Sequence, residues 1–194
     1  MGIIKVSPAV RKILAKNNLG IKLDVGCGHE KKEGFVGLDL RKAQGVDIVH
    51  NAEVFPYPLP DESCSTIRMS HLIEHIKPWL TIDLFNEAWR LLKPGGQLWI
   101  STPYAGSFRY WQDPTHCNGC NESTWMYFDP DYWLYTMYQP KPWKIERSVW
   151  SKTGDMEVIL LKRTLDYKPS VPLIMPLVSA SGEKRKVPVS KRRS

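Results

Sequence analysis

The stretch Leu23-Asp24-Val25-Gly26-Cys27-Gly28 decides how this chain is read. It closes a short apolar run, Ile21 to Val25, that reads as a buried strand. Its two glycines let backbone approach a ligand with no Cβ in between. Ligands of open α/β sheets bind beyond the carboxyl ends of the strands, so a strand ending in Gly-x-Gly marks a nucleotide-type site. The next apolar run, Phe35 to Leu40, carries Asp39 at its end, an acid placed to accept hydrogen bonds from two ribose hydroxyls. A dinucleotide fingerprint needs a third glycine three residues on. Lys31 stands there instead, which removes most of the support for that reading.

Working outward, Val46 to His50, Thr66 to Ser70 and Gln97 to Ser101 read as three further strands. Ser7-Pro8 starts a helix running to Asn17, with Ser as cap and Pro at the first helical position. Asn51 to Ser65 is a long connection with three prolines. His71 to Ile76 opens a helical turn that Pro78 interrupts. Pro78 to Leu92 is the clearest helix, with Leu80, Leu84, Ala88 and Leu91/Leu92 on one face. Lys93-Pro94-Gly95-Gly96 supplies a cation and breakers at its end. Tyr132 to Tyr138 reads as a short helix. Trp143 to Val149 and Met156 to Lys162, joined through Thr153-Gly154-Asp155, read as an antiparallel hairpin.

This order predicts an α/β fold: a Rossmann-like, mostly parallel sheet with a late antiparallel hairpin. A parallel crossover normally needs a dozen or more residues, usually a helix. Residues 28–34 and Arg41 to Gly45 are too short for that, so helices are expected to be trimmed on one face.

The chain has 194 residues and a formal net charge of +7. That length suits one domain with a tail, expected as a body over 1–167 and an extended or disordered Pro/Ser-containing basic tail over 168–194. Six basic residues and one acid fall in 183–194, so five of the seven net charges sit there and the body is nearly neutral. The basicity is a tail property, which weakens any reading of the whole domain as a nucleic-acid binder. No apolar run approaches a membrane span and no signal peptide pattern opens the chain; a cytoplasmic location is expected. Four cysteines at 27, 64, 117 and 120 do not make a disulfide framework.

The glycine segment resembles motif I of the class I S-adenosylmethionine-dependent methyltransferases. Gly37-Leu38-Asp39-Leu40 resembles their ribose-binding strand end. Leu91 to Leu98 resembles the helix-turn-strand segment of the type 11-like group, and His71-Leu72-Ile73-Glu74-His75-Ile76 its Glu-His element. Pro56-Tyr57-Pro58 and Asp113-Pro114-Thr115-His116 are similar to segments of small bacterial and phage members. The resemblance covers about residues 20–105 in order. It implies S-adenosyl-L-methionine as cofactor. Gly26 and Gly28, with Cys27 between them, would approach the methionine end, and Asp24 would order this loop or its waters. Asp39 would hold the ribose, next to Leu40, and Asn51-Ala52 would lie against the adenine. His71 would border the methyl group. Close relatives often carry Asp where Asn51 stands.

The acceptor is not named by the sequence. Asp/Asn-Pro-Pro-aromatic, which marks amino-methyltransferases of adenine and cytosine, is replaced by Ser70-His71-Leu72-Ile73. No cysteine follows a proline, as a cytosine-C5 nucleophile would. A small molecule, a sugar, a protein side chain or an RNA group remains. If the acceptor is a hydroxyl, a base helps, and His116 and Asp113 are the candidates, with His71 beside the methyl; His75 reads as a structural histidine. Residues 104–150 hold 13 of the 21 aromatics. Tyr104, Tyr110, Trp111, Trp125 and Tyr127 would stack on a flat acceptor or form core. His116-Cys117-x-x-Cys120 offers three metal ligands, with His29 a conceivable fourth, but the second ligand pair usual for zinc is missing, and no metal is expected. The rival reading is a binding module in which 183–194 holds RNA or another acidic partner.

Overall fold

The structure, a computed structural model, describes residues 6, 8–17 and 19–169, together with the backbone of 177–178 and 184–185. Seven strands form one sheet in the order β3-β2-β1-β4-β5-β7-β6. They are β1 (Ile21–Val25), β2 (Val36–Asp39), β3 (Ile48–Val49), β4 (Cys64–Ser70), β5 (Leu92–Pro103), β6 (Trp143–Trp150) and β7 (Asp155–Lys162). The first five run parallel, and β7 enters antiparallel between β5 and β6. The expected α/β sheet with a late hairpin is therefore the fold. The tail expected over 168–194 lies almost wholly outside the described residues; within it, Leu177–Val178 and Lys184–Arg185 pair antiparallel. The Ser7 cap also lies outside them.

Helices are few. α1 (Pro8–Ala15) precedes the sheet, α2 (Thr81–Leu91) joins β4 to β5, and α3 (Phe108–Trp111) is a single turn after β5. None of the connections 26–35, 40–47 and 50–63 contains a helix. The trimming has a chemical substitute: carboxylates tie the bare loops to the strands. Asp39 Oδ2 accepts the Gly28 N–H at 2.9 Å, Asp24 Oδ2 accepts the Lys32 N–H at 2.9 Å, and Asp47 Oδ2 accepts the Gly37 N–H at 2.8 Å. Each bond to an ionised acceptor is stronger than a neutral one. Gly37 is required by packing: a Cβ there would stand 2.4 Å from the Gly45 carbonyl oxygen and 2.8 Å from Cys27 Sγ.

The core lies between the sheet and α2. Strand residues alternate, so Leu23, Ile67, Leu98, Ile100, Val158 and Leu160 are buried while Lys22, Arg68, Trp99 and Ile159 are not. α2 presents Leu84, Phe85, Ala88 and Leu91 to this layer, all buried. Each large side chain so buried contributes roughly 1.5–3 kcal/mol. Asp83 in its first turn and Arg90 in its last complement the helix dipole. Phe85 stacks on Phe128 with centroids 4.1 Å apart and meets Trp125 and Trp143 at 6.3 Å. Much of the aromatic segment is thus core. The helix expected over Pro78 to Leu92 starts at Thr81, after a separate 3-10 turn at Pro78–Leu80, and ends one residue early because β5 begins at Leu92. The strand pairs Leu92 with Cys64 and then Gln97 with Thr66, so Lys93-Pro94-Gly95-Gly96 bulges out of register.

Candidate active site at the carboxyl ends of the strands

β1, β2, β3 and β4 end at one edge of the sheet, where a cavity of about 420 Å³ opens. Gly26, Asp39, Leu40, Asn51, Ala52 and Leu72 are among its lining residues. This is within the size range of small-molecule sites. Gly26 adopts φ +70° and donates its N–H to the Leu38 carbonyl at 2.8 Å. A Cβ on Gly26 would meet Leu72 Cδ1 at 2.8 Å. Gly28 has φ +58°, and a Cβ there would meet nothing within 4 Å. The first glycine serves packing, and the second keeps open space beside the Asp39 carboxylate.

Asp39 accepts from Gly28 and, through Oδ1, from the Arg41 N–H at 3.0 Å. Asn51, a lining residue, accepts the Glu53 N–H on Oδ1 at 2.9 Å, which closes a local turn. Leu40, 62% exposed, gives this wall an apolar surface. Behind it, the Tyr57 hydroxyl donates to the Ala52 carbonyl at 2.9 Å, and the Tyr57 N–H donates to Glu87 at 2.7 Å. The Pro-Tyr-Pro connection is thereby anchored to α2. Burial holds the Cys27 thiol up at about 11, helped by the negative charges of Asp24 and Asp39.

Asp24 does not face the cavity. Its fully buried carboxylate takes Arg68 Nη1 at 2.9 and 3.0 Å and pins the 26–35 loop through Lys32. The cavity wall also holds a pair that sequence reasoning missed: Lys77 Nζ lies 2.5 Å from Glu53 Oε2. That hydrogen bond lowers the Glu53 carboxyl from its ordinary value. Nothing in the spacing of 53 and 77 announces it.

His71, Asp113 and His116 lie in the loops after β4 and β5. His71 stands at φ +51°, an uncommon conformation for a side-chain-bearing residue. Its Nδ1 lies 3.2 Å from Glu74 Oε1, and Thr102 Oγ1 donates to Glu74 Oε2 at 3.0 Å. The hydrogen bond to Glu74 raises the His71 imidazole above its ordinary value, against partial burial. His116 and Asp113 do not form a hydrogen-bonded dyad: His116 Nε2 is 3.9 Å from Asp113 Oδ2, beyond bonding range. Asp113 instead accepts the Thr115 hydroxyl at 2.7 Å. Of the aromatics considered for an acceptor, Trp125 and Tyr110 are buried, whereas Trp111 is 74% exposed. Cys120 is buried with its thiol against the Asn118 carbonyl, and Cys117 Sγ lies against the Ile76 carbonyl. Neither they nor His29 join the trio of potential metal ligands found among the described residues, which is Glu74, His75 and His116. Among the described residues, no helix is long and apolar enough to cross a membrane.

Comparison with known proteins agrees with this geometry. A methyltransferase of Archaeoglobus fulgidus, described as SAM-dependent, shares 18% identity and superposes with a TM-score of 0.52, over 78% of this chain and 94% of its own. A protein of Pyrococcus horikoshii shares 15% identity with a TM-score of 0.56, over 80% and 89%. A methyltransferase of Thermotoga maritima, described as a possible histamine N-methyltransferase, shares 16% with a TM-score of 0.54, over 74% and 82%. At these identities the likeness is one of fold. No curated protein matches the sequence. Residues 5–143 match the family described as "Methyltransferase domain". That match takes in the glycine loop, Asp39, the cavity walls and α2, so the chain belongs to the methyltransferase-domain family.

Proposed function

We propose that this protein transfers a methyl group from S-adenosyl-L-methionine to an oxygen or nitrogen nucleophile presented at the mouth of the cavity. The observation that carries this is the cavity itself. Its lining sets two adjacent strand ends side by side, a glycine loop beside a carboxylate, with the apolar Leu40 and the polar Asn51 among the other wall residues. Asp39 would hold ribose hydroxyls, Asn51 and Ala52 an adenine edge with Leu40 against its face, and the Gly26-Cys27-Gly28 backbone the amino-acid end. The motifs at His71–Ile76 and Leu91–Leu98 support a place near the small type 11-like group.

The bound cofactor supplies a sulfonium methyl that is already electrophilic, so the chain's work is to bind, align and exclude water. His71 is the residue assigned to the acceptor. Its Nδ1 is engaged by Glu74, and in the neutral ring, half-exposed, Nε2 is the nitrogen that would accept a hydrogen bond from an acceptor O–H or N–H. Asp113 acts one step away, by orienting Thr115. The rival reading, a binding module that holds RNA or another acidic partner through 183–194, draws no support from a site whose glycines and carboxylate are arranged to receive a ligand.

Calorimetry with S-adenosylhomocysteine tests the cofactor assignment: the wild type binds one equivalent, and Asp39→Ala weakens binding at least about tenfold, the loss of roughly 1.4 kcal/mol. Absence of binding by the folded wild type overturns it. A labelled-cofactor screen across small molecules, sugars, proteins and RNA then names the acceptor.

A further inference from the structure

The geometry points to a divalent metal site formed by Glu74, His75 and His116 at the rim of the cavity. One ligand atom from each of these side chains lies within 4.8 Å of the others. The backbone builds this trio deliberately. A single helical turn, Ile73–His75, follows β4. The Glu74 carbonyl then accepts the N–H groups of Cys117 at 2.8 Å and Asn118 at 3.1 Å, which draws the 113–118 loop across that turn. The imidazoles of His75 and His116 meet edge to face with centroids 4.8 Å apart.

Both rings are fixed in the form a metal needs. His116 Nδ1 lies 2.7 Å from the Tyr110 carbonyl. A carbonyl only accepts, so Nδ1 carries the hydrogen and Nε2 keeps a lone pair. His75 Nδ1 lies 3.1 Å from Thr115 Oγ1, whose own hydrogen goes to Asp113 Oδ1 at 2.7 Å. His75 Nδ1 is therefore also the donor, and its Nε2 lone pair is free. A histidine held through one nitrogen by a carbonyl or a carboxylate relay, with the other nitrogen bare, is the outer-shell arrangement of metal-ligating histidines. The third member is a carboxylate with 0% side-chain exposure, and its one ion-pair partner among the described residues is His71, which is charged only when protonated. Thr102 and His71 already engage its two oxygens, and a bound metal would add the permanent opposite charge that neither supplies.

Two imidazole nitrogens and one carboxylate oxygen suit a first-row divalent ion such as zinc, and leave at least one coordination position open. Ligand bonds near 2.0–2.2 Å place donor atoms about 3–4 Å apart, so binding draws these side chains together by roughly an ångström. His75 and its neighbours Ile76, Lys77 and Cys117 line the cavity, so the open position lies beside it. It would take an oxygen donor. The His-Cys-x-x-Cys spacing that first suggests a metal is not the ligand set; of its members only His116 belongs.

The test is made on the full chain without cofactor, so it stands apart from the methyl-transfer reading. Metal-free protein is titrated with zinc by calorimetry and with cobalt by visible absorption. One equivalent of zinc, and cobalt ligand-field bands, are expected. His75→Ala and His116→Ala should each lower zinc affinity at least about 100-fold, more than an outer-shell change, with circular dichroism spectra like the wild type. Thr115→Val, which breaks the relay to His75, should lower it about tenfold. His29→Ala and Cys117→Ser should leave it unchanged. No stoichiometric zinc or cobalt in the wild type, undiminished affinity in both histidine variants, or loss of binding in Cys117→Ser overturns the assignment. Glu74→Gln is a weaker probe, because a buried site can unfold when altered.

Discussion

Replacing Asp24 by alanine should loosen the cofactor loop and destabilise the fold together. The carboxylate is fully buried, takes Arg68 Nη1 on both oxygens at 2.9 and 3.0 Å, and accepts the Lys32 N–H at 2.9 Å. Removing one partner of a buried ion pair typically costs about 3–5 kcal/mol. Arg68 keeps 29% side-chain exposure, so water recovers part of its solvation, and about 2–3 kcal/mol is expected here. For a chain of this size that is a fall in Tm of about 4–12 °C. Denaturant unfolding measures it. Since much of the loss is the stranded guanidinium, Asp24→Ala with Arg68→Met should be less destabilised than Asp24→Ala alone. S-adenosylhomocysteine affinity should fall at least about tenfold in both variants, because both lack the anchor on Lys32. A single variant within about 0.5 kcal/mol of wild type, or a double variant no more stable than the single, would refute the reasoning.

The two loop glycines should differ. Gly26→Ala combines a left-handed backbone with a Cβ 2.8 Å from Leu72 and should cost about 2–4 kcal/mol, whereas Gly28→Ala meets no contact and should cost about 1–2 kcal/mol; equal melting temperatures would contradict this. At pH 8 a thiol-alkylating reagent should label Cys117 much faster than the other cysteines. Burial puts Cys27 at about 11 and Cys64 and Cys120 at about 12, so their reactive thiolates are scarce, while Cys117 is exposed. Mass mapping that finds Cys27 labelled at the same rate would show the cavity wall to be more open than described.

The sheet was legible because its signals are local. Ile21–Val25 is apolar, short and bounded by glycine, and the 143–162 hairpin has a Gly-Asp turn between two alternating runs. α2 shows its face at helical spacing. The missing crossover helices were legible too, from bare residue counts between strands. What the sequence concealed is long-range. Whether Trp125 stacks on a ligand or fills the core depends on Phe85 and Trp143 arriving from elsewhere in the chain. The extension of β5 back to Leu92 depends on pairing with Cys64. The Asp113–Thr115–His75 relay spans two loops, and no periodicity or spacing connects 75 with 115. Spacing alone sets His116 with its sequence neighbours Cys117 and Cys120, whereas its ring meets that of His75 from across the fold.

The helix-free crossovers bear on how the molecule opens. β4, α2, β5, β7 and β6 are neighbours that together carry 14 buried apolar side chains, whereas β2 and β3 carry one each, Leu38 and Ile48, and β3 is two residues long at the sheet's rim. Local opening free energies follow such differences in burial. The β2–β3 margin, which supplies Asp39 and adjoins Asn51, should exchange its amide hydrogens well before the middle of the sheet. A ligand spanning that margin and β1 adds its own binding free energy to the least stable cooperative unit. In this trimmed architecture the cofactor would complete the protein's amino-terminal half, and protection of the amides of 36–51 on ligand addition would record it.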